Sequence, residues 1–357
     1  MSRILVAENS SPEELNRYID KVIKDSIDST IDDDELQKIM GLYQSLEDKM
    51  IFQSIYELFF IKRYTLFGKK ELLLEDQIIK QLRTISSSFM KSYENYVSMS
   101  EESDSLGNKF NSLSDENDQF CPIILPPSPV PLIDADTSFD FISDKIQSFK
   151  TFYEEQNAQN TIELLPEKST VEISLQIPTE NGQNTRSIDI VTDFFCAQAL
   201  IKICQKPCNF GEIVSLFNNR KIALDVVLNL NKEKIIKRKG DSMKLSDNDQ
   251  LSINESIDNS IKDNKIIVRY DNHQKITGHF EMRARFEKDE TISSMIVRIL
   301  KRRGKIEYEE LVNMVIGSFA NEFPCNNEMV EKQIKRLTGL YLKIENENGQ
   351  NIVYYTK

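Results

Sequence analysis

The chain has no tryptophan, only two histidines in 357 residues, and no CxxC pair. Each shortage removes a class of chemistry. His273 and His279 leave little room for a Ser/His or Cys/His nucleophilic mechanism. Of Cys121, Cys196, Cys204, Cys208 and Cys325, only 204 and 208 lie close in sequence, and Pro207 stands between them. A zinc site needs four converging ligands, so no metal and no cofactor is expected. No glycine-rich phosphate loop occurs. No apolar run reaches the roughly 20 residues that span a bilayer, and no signal peptide opens the chain. The expected setting is a reducing compartment, cytoplasm and nucleus. Positive charge is short as well. Forty-five Lys and Arg face 57 Asp and Glu, a net charge of −12, which argues against a whole-chain nucleic-acid binder.

What is present reads first as helices. Ser11-Pro12-Glu13-Glu14 carries three helix-start signals: a capping serine, a proline at the first helical position and a glutamate that completes a capping box. Leu15, Tyr18, Ile19, Val22 and Ile23 then mark one apolar face. Helices are predicted over 35–44 and 46–67, the latter apolar on most sides and therefore buried. One or two more are predicted over 71–99. Residues 98–119, rich in Ser, Asp, Asn and Glu, read as a long polar loop, and 121–131 as a proline-rich extended stretch. Helix returns over 140–155 with Phe141, Ile142, Ile146, Phe149, Phe152 and Tyr153 as its packing face.

The period then changes. Val171, Ile173, Leu175 and Ile177 alternate with polar residues, which predicts a half-buried strand. Asn181-Gly182 is a hairpin-turn signal, and 187–191 is the returning strand. Helices over 192–205, 210–217 and 221–230 precede strands at 234–238 and 250–254. Small helices followed by a β-ribbon make a winged helix. The pattern recurs at the C-terminus: helices 291–303, 309–320 and 328–337, then strands 341–345 and 352–355 about Asn348-Gly349. The expected fold class is α+β, mainly helical: a helical bundle, then a mixed α/β domain and two winged helices. Winged helices with basic runs at 232–239 and 298–305 raise one function, nucleic-acid binding. They equally serve as protein-interaction modules.

The run Ile296-Val297-Arg298-Ile299-Leu300-Lys301-Arg302-Arg303 is the most pointed feature. In a helix from Thr291 the apolar residues 292, 295, 296, 299 and 300 form one stripe, and Lys301 falls about opposite its centre. By physics alone this is a solvated basic face. The run also resembles the IVRIMK signature of the cullin family, with Leu300 in place of the methionine. Further stretches resemble the cullin C-terminal region in the same order. These are 12–20, Leu46–Gln53 with Tyr56 and Lys62-Arg63, the aromatic trio Phe149, Phe152 and Tyr153, Leu251–Asn254, and Tyr341-Leu342. The family's helix near 89–99 is hardly visible, and Leu164 stands where the family has a strand tryptophan. The chain begins where a cullin's long helical arm would end.

The resemblance implies a non-catalytic scaffold of a ubiquitin ligase complex, divided into a helical bundle (11–156), an α/β cullin-homology domain with the first winged helix (157–290) and a neddylation domain (291–357). It implies that Lys301 accepts a Nedd-type ubiquitin-like modifier through an isopeptide bond. It also implies a RING-box protein that recruits a ubiquitin-conjugating enzyme. Strands carrying Ile162–Leu164, Val171–Ile177 and 188–190 are expected to form a sheet with an open edge, a template for strand addition. The RING-box strand would fill it against Ile162, Leu164, Val171, Ile173 and Leu175. Lys21, Lys24, Lys62 and Arg63 are the residues available for a basic groove that steers the conjugating enzyme. The charged segment 280–290, with Arg283, Glu287 and Lys288, reads as a mobile hinge before the last winged helix.

Overall fold

The structure, a computed structural model, describes residues 11–87, 89–113, 120–126, 138–158, 160–178, 185–240, 244–257, 265–270 and 273–356, with backbone alone over 273–281. Helices α1 (Pro12–Asp25), α2 (Asp33–Ser45), α3 (Lys49–Phe67) and α4 (Lys69–Ile85) are followed by α5 (Tyr93–Asn111) and α6 (Ser143–Gln156). Strands β1 (Val171–Pro178) and β2 (Thr185–Thr192) lead to α7 (Phe194–Gln205), β3 (Cys208–Asn209), α8 (Phe210–Phe217), α9 (Arg220–Lys232), β4 (Ile236–Lys239), β5 (Gln250–Ile253) and β6 (Lys265–Ile267). The chain closes with α10 (His273–Arg303), β7 (Lys305–Glu307), α11 (Tyr308–Ser318), α12 (Asn327–Leu337), β8 (Leu342–Glu347) and β9 (Gln350–Tyr355). This is the mainly helical α+β class. It divides into two compact units, residues 1–93 with 274–357, and residues 94–273.

In the first unit, α1 starts as its sequence dictates. Ser11 Oγ accepts from Glu14 N–H at 3.2 Å, and Ser11 N–H donates to the Glu14 carboxylate at 2.8 Å. Helix α3, capped by Asp48, is the buried one: Phe52, Tyr56, Phe60 and Ile61 are wholly enclosed. Tyr43, Phe52, Tyr56 and Phe89 pack rings at centroid separations of 5.1 to 5.9 Å, arrangements that add to area burial. Inside the bundle Arg63 donates to Glu71 and Glu75, and Tyr56 to Glu75. Arginine's planar fork suits such a buried pairing.

The same unit holds the C-terminal winged helix, α10–β7–α11–α12–β8–β9, with sheet order β7-β9-β8. Its core joins Ile292, Ile296 and Leu300 of α10 to Leu311, Val315, Phe323, Val330, Ile334, Leu342 and Val353. The wing turns at Asn348 (φ 53°) and Gly349 (φ 87°), the two successive positive φ values of a type I′ hairpin, which Asn-Gly tolerates.

Segment 280–290 is not a hinge. It lies within the continuous α10, and most of its described charges, though not exposed Arg285, are engaged. Arg283 pairs with Glu57 at 2.6 Å and with Glu287 at 2.7 Å, and Lys288 pairs with Asp48. Lys49 N–H donates to Glu322 O at 2.8 Å beside them. A run of charges at i, i+4 spacing is good helix material when partners face it.

In the second unit, α5 extends helix to Asn111, where the composition reads as loop. Tyr96, Leu106 and Phe110 are buried, as are Ser100 and Ser103. Serines occupying buried helix positions hide the apolar period from a sequence reading. Ser103 Oγ donates to Met99 O and accepts Ile124 N–H at 2.8 Å, so Ser103 is satisfied. Phe110, Phe149, Tyr153 and Ile124 form a small core with α6. Strands β1 and β2 pair antiparallel from Val171↔Thr192 to Pro178↔Thr185, and β6 joins β2 in parallel. The turn signal Asn181-Gly182 lies outside the described residues, as do parts of the 98–119 and 121–131 stretches.

The first winged helix, α7–β3–α8–α9–β4–β5, has sheet order β3-β5-β4, the same topology as the second. The two short strands β3 and β7, of two and three residues, carry too little pattern for a period-2 reading. Asn218 in the left-handed conformation (φ 46°) turns α8 into α9, a position asparagine tolerates.

Candidate modification and partner-binding sites

Lys301 stands on the last turn of α10. Ile292, Ile296, Ile299 and Leu300 are buried, while Arg298, Lys301, Arg302 and Arg303 are exposed. The one-sided stripe thus puts the ammonium on the solvent side. Its neighbourhood is selective. Arg303 pairs with Glu310, and Lys305 with Glu347 at 3.4 Å. Lys301 instead lies over the ring of Tyr355, with Nζ 5.8 Å from the centroid. Tyr355 is fixed there because its N–H donates to Gly304 O at 2.9 Å and its strand pairs Leu342. A cation over an aromatic face is attracted weakly, by about 0.5–1 kcal/mol at an exposed site. The amine is therefore presented without being locked in an ion pair. Tyr355 lies far along the chain, and no spacing rule in the sequence signals it.

The open sheet edge lies at β1. In the order β1-β2-β6 its outer side has no strand neighbour among the described residues. Val171, Ile173 and Leu175 pack on the unit's main core yet stay half-buried. The expected strand at Ile162–Leu164 is not formed. These residues have no ladder partner, although Ile162 rests on the α5–α6 core and Leu164 on the sheet core. A strand exists only through its neighbour's hydrogen bonds, and none is present there. The structure therefore brings four of the five residues together on one core, with Ile162 on the adjoining one.

The basic groove loses a member. Arg63 is 1% exposed and spent on Glu71, Glu75 and Asp20. Lys24 pairs with Asp20 at 2.7 Å, Lys21 is exposed, and Lys62 is partly covered.

The third helices of the two winged helices, α9 and α12, present mixed faces. Helix α9 exposes Leu224 and Leu228. On α12, Lys332 pairs with Asp289 and Arg336 with Glu290, both at 2.7 Å. Cations already matched to carboxylates release few counterions on meeting DNA.

Comparison with known proteins finds a likeness to one family around the lysine helix. Residues 287–345 match the family model of the cullin protein neddylation domain. No curated protein matches the chain. One similar solved structure is described as "A Dual E3 Mechanism for Rub1 Ligation to Cdc53: Dcn1(P)-Cdc53(WHB)"; it is 22% identical, with a TM-score of 0.21, over 24% of this chain and 100% of that one. By the family model alone, residues 287–345 are similar to a cullin neddylation domain, over a small part of the chain. No described helix is long and apolar enough to cross a membrane.

Proposed function

We propose that the chain is a scaffold subunit of a cullin-RING type ubiquitin ligase complex, with Lys301 the acceptor of a Nedd-type modifier. The observation that carries this reading is the exposed Lys301, projecting from the end of α10 within the matched residues 287–345. In the reaction, deprotonated Nζ attacks the thioester carbonyl carbon at the modifier's C-terminus. An isopeptide bond forms, the conjugating enzyme's thiolate leaves, and the amine's proton passes to solvent or thiolate. In ubiquitin transfer to a substrate the chain performs no covalent step itself. It would hold a RING-box protein through a strand added to the outer edge of β1, beside Ile162, Leu164, Val171, Ile173 and Leu175. That protein would recruit the charged ubiquitin-conjugating enzyme, and holding thioester and target lysine together raises their effective concentration.

The test is incubation of the full chain with the cognate conjugating machinery, followed by peptide mass spectrometry. An adduct on Lys301 supports the reading; an adduct on Lys305 or elsewhere, or none, overturns the assignment. Co-expression with a RING-box protein tests the second half: a one-to-one complex is expected. The alternative, a winged-helix nucleic-acid-binding protein, would instead show salt-sensitive DNA retention. The paired cations of α12 and the exposed leucines of α9 speak against it.

A further inference from the structure

Helix α10 ends in a positively charged tip. From Thr291 to Ile306 the chain carries five cations, Arg298, Lys301, Arg302, Arg303 and Lys305, and no Asp or Glu, although acids outnumber bases over the whole chain. Several cations around this tip are matched. Arg303 pairs with Glu310, Lys305 with Glu347, and Lys343 of the neighbouring sheet with Glu345. Arg298 and Arg302 are exposed, and neither has a carboxylate partner among the described residues. They stand four apart, so they lie one above the other on the helix surface, and Arg298 also neighbours Lys301 three residues on. The helix's own electrostatics accounts for part of this. Cations in the last turn complement the negative end of the macrodipole, which suits Arg302 and Arg303. Arg298 lies a turn further in and gains little. Its neighbours four residues away are Ser294 and Arg302, and a like-charged pair at that spacing weakens a helix. Arg298 thus serves neither the core nor its own helix.

Resting on the acceptor reading of Lys301, we infer that Arg298 and Arg302 are the receptor for carboxylates at the rim of the conjugating enzyme's thioester cleft, and so determine which charged enzyme delivers its modifier here. Geometry restricts the occupant. For Lys301 Nζ to attack, the thioester carbon must come within about 3–3.5 Å. Whatever surrounds that carbon then rests on the tip of α10, within a helical turn of Lys301. The rim of the enzyme's cleft surrounds it, whereas the modifier contributes its C-terminus alone at that point. Charge restricts the chemistry. Two unpaired guanidiniums one turn apart repel a basic rim and bind an acidic one, each offering a planar fork to a carboxylate. The contact is made at an exposed site, so it acts on encounter and register rather than on the chemical step. Arg298 and Arg302 are then positioning residues for the incoming enzyme, as Tyr355 is for the amine.

The experiment follows transfer of the modifier from the preloaded conjugating enzyme to the full chain, with the RING-box protein at fixed concentration, at about 50 mM and about 200 mM salt. Half-saturating chain concentration and maximal rate are measured for the unaltered chain, for Arg298→Gln with Arg302→Gln, and for Arg298→Glu with Arg302→Glu. Thermal melting is checked for each, and the Gln pair carries the test should the Glu pair melt early. At the lower salt the Gln pair is expected to raise the half-saturating concentration several-fold and the Glu pair about tenfold or more, with maximal rates within about twofold. The gap should narrow at the higher salt. Enzyme variants in which acidic residues within about 10 Å of the thioester cysteine are changed to Arg should rescue the Glu pair. An unchanged half-saturating concentration, a loss confined to the maximal rate, rescue by changes on the modifier instead of the enzyme, or rescue by neither overturns the proposal. Failure of the acceptor reading looks different: the unaltered chain then takes no adduct on Lys301 at either salt, and the role of the two arginines falls with it.

Discussion

Lys301 Nζ lies 5.8 Å from the centre of the Tyr355 ring, so the lysine helix and the last strand of the wing meet at the candidate acceptor. The Lys301→Arg variant keeps the charge and the ring contact, and should fold with a stability change within about 0.5 kcal/mol. It should lose the modified band on a denaturing gel. Tyr355→Ala should keep the band while slowing its appearance, because the amine loses the surface that orients it. A band that survives Lys301→Arg at full intensity sinks the assignment.

The outer edge of β1 should betray itself in hydrogen exchange. Its outward amides have no ladder partner among the described residues, so they should exchange fast in the free chain and slow by about tenfold or more when a RING-box strand is bound. The inner amides facing β2 should change little. Protection spread equally over β1 and β6, or absent from β1, would locate the contact elsewhere.

Within the bundle, burial moves the carboxyl of Glu71 from 4.5 to about 9 against the pull of Arg63. The folded chain then keeps a proton that the unfolded chain releases. This group's contribution to stability is full below pH 4.5 and declines as pH rises towards about 9, then levels. Glu71→Gln, which keeps an acceptor for Arg63, should remove that decline. Urea midpoints should show the variant gaining on the unaltered chain by about 1–3 kcal/mol between pH 4 and pH 8. Arg63→Met, by contrast, strands two buried acids and should cost about 3–5 kcal/mol. A parallel pH profile for the Gln variant would show that Glu71 ionises in the fold.

Helix α10 should resist proteolysis across 280–290. Arg283→Gln with Lys288→Gln removes the pairs to Glu57 and Asp48. Cleavage within that stretch should then accelerate several-fold while the wing stays intact. Equal cleavage rates before and after would mean these pairs hold nothing.

Much of this was legible in the chain. The capping box at Ser11, the apolar stripe of α10, the alternation of β1 and the Asn348-Gly349 turn are local, and local chemistry fixed them. The reading failed where distant neighbours decide. Ser103 looks like a loop residue until Ile124 supplies a donor. Residues 280–290 look like a hinge until Glu57 and Asp48 face them. Arg63 looks like surface charge until Glu71 and Glu75, a helix away, enclose it. Of the candidate sites, Lys301 could be read from its own helix; Tyr355 beneath it could not.

The unbroken course of α10 has a mechanical consequence. From Arg283 to Lys301 the helix runs roughly 27 Å at about 1.5 Å per residue. A rigid rod of that length is a lever, with its grip at Glu57 and Asp48 and its load at the far tip. Thermal buffeting of any body tethered to Lys301 would arrive at the grip as torque, multiplied by the arm, whereas a flexible joint would have dissipated it. The strength of these ion pairs together with the Lys49–Glu322 hydrogen bond, rather than the softness of a loop, then sets how readily the tip swings.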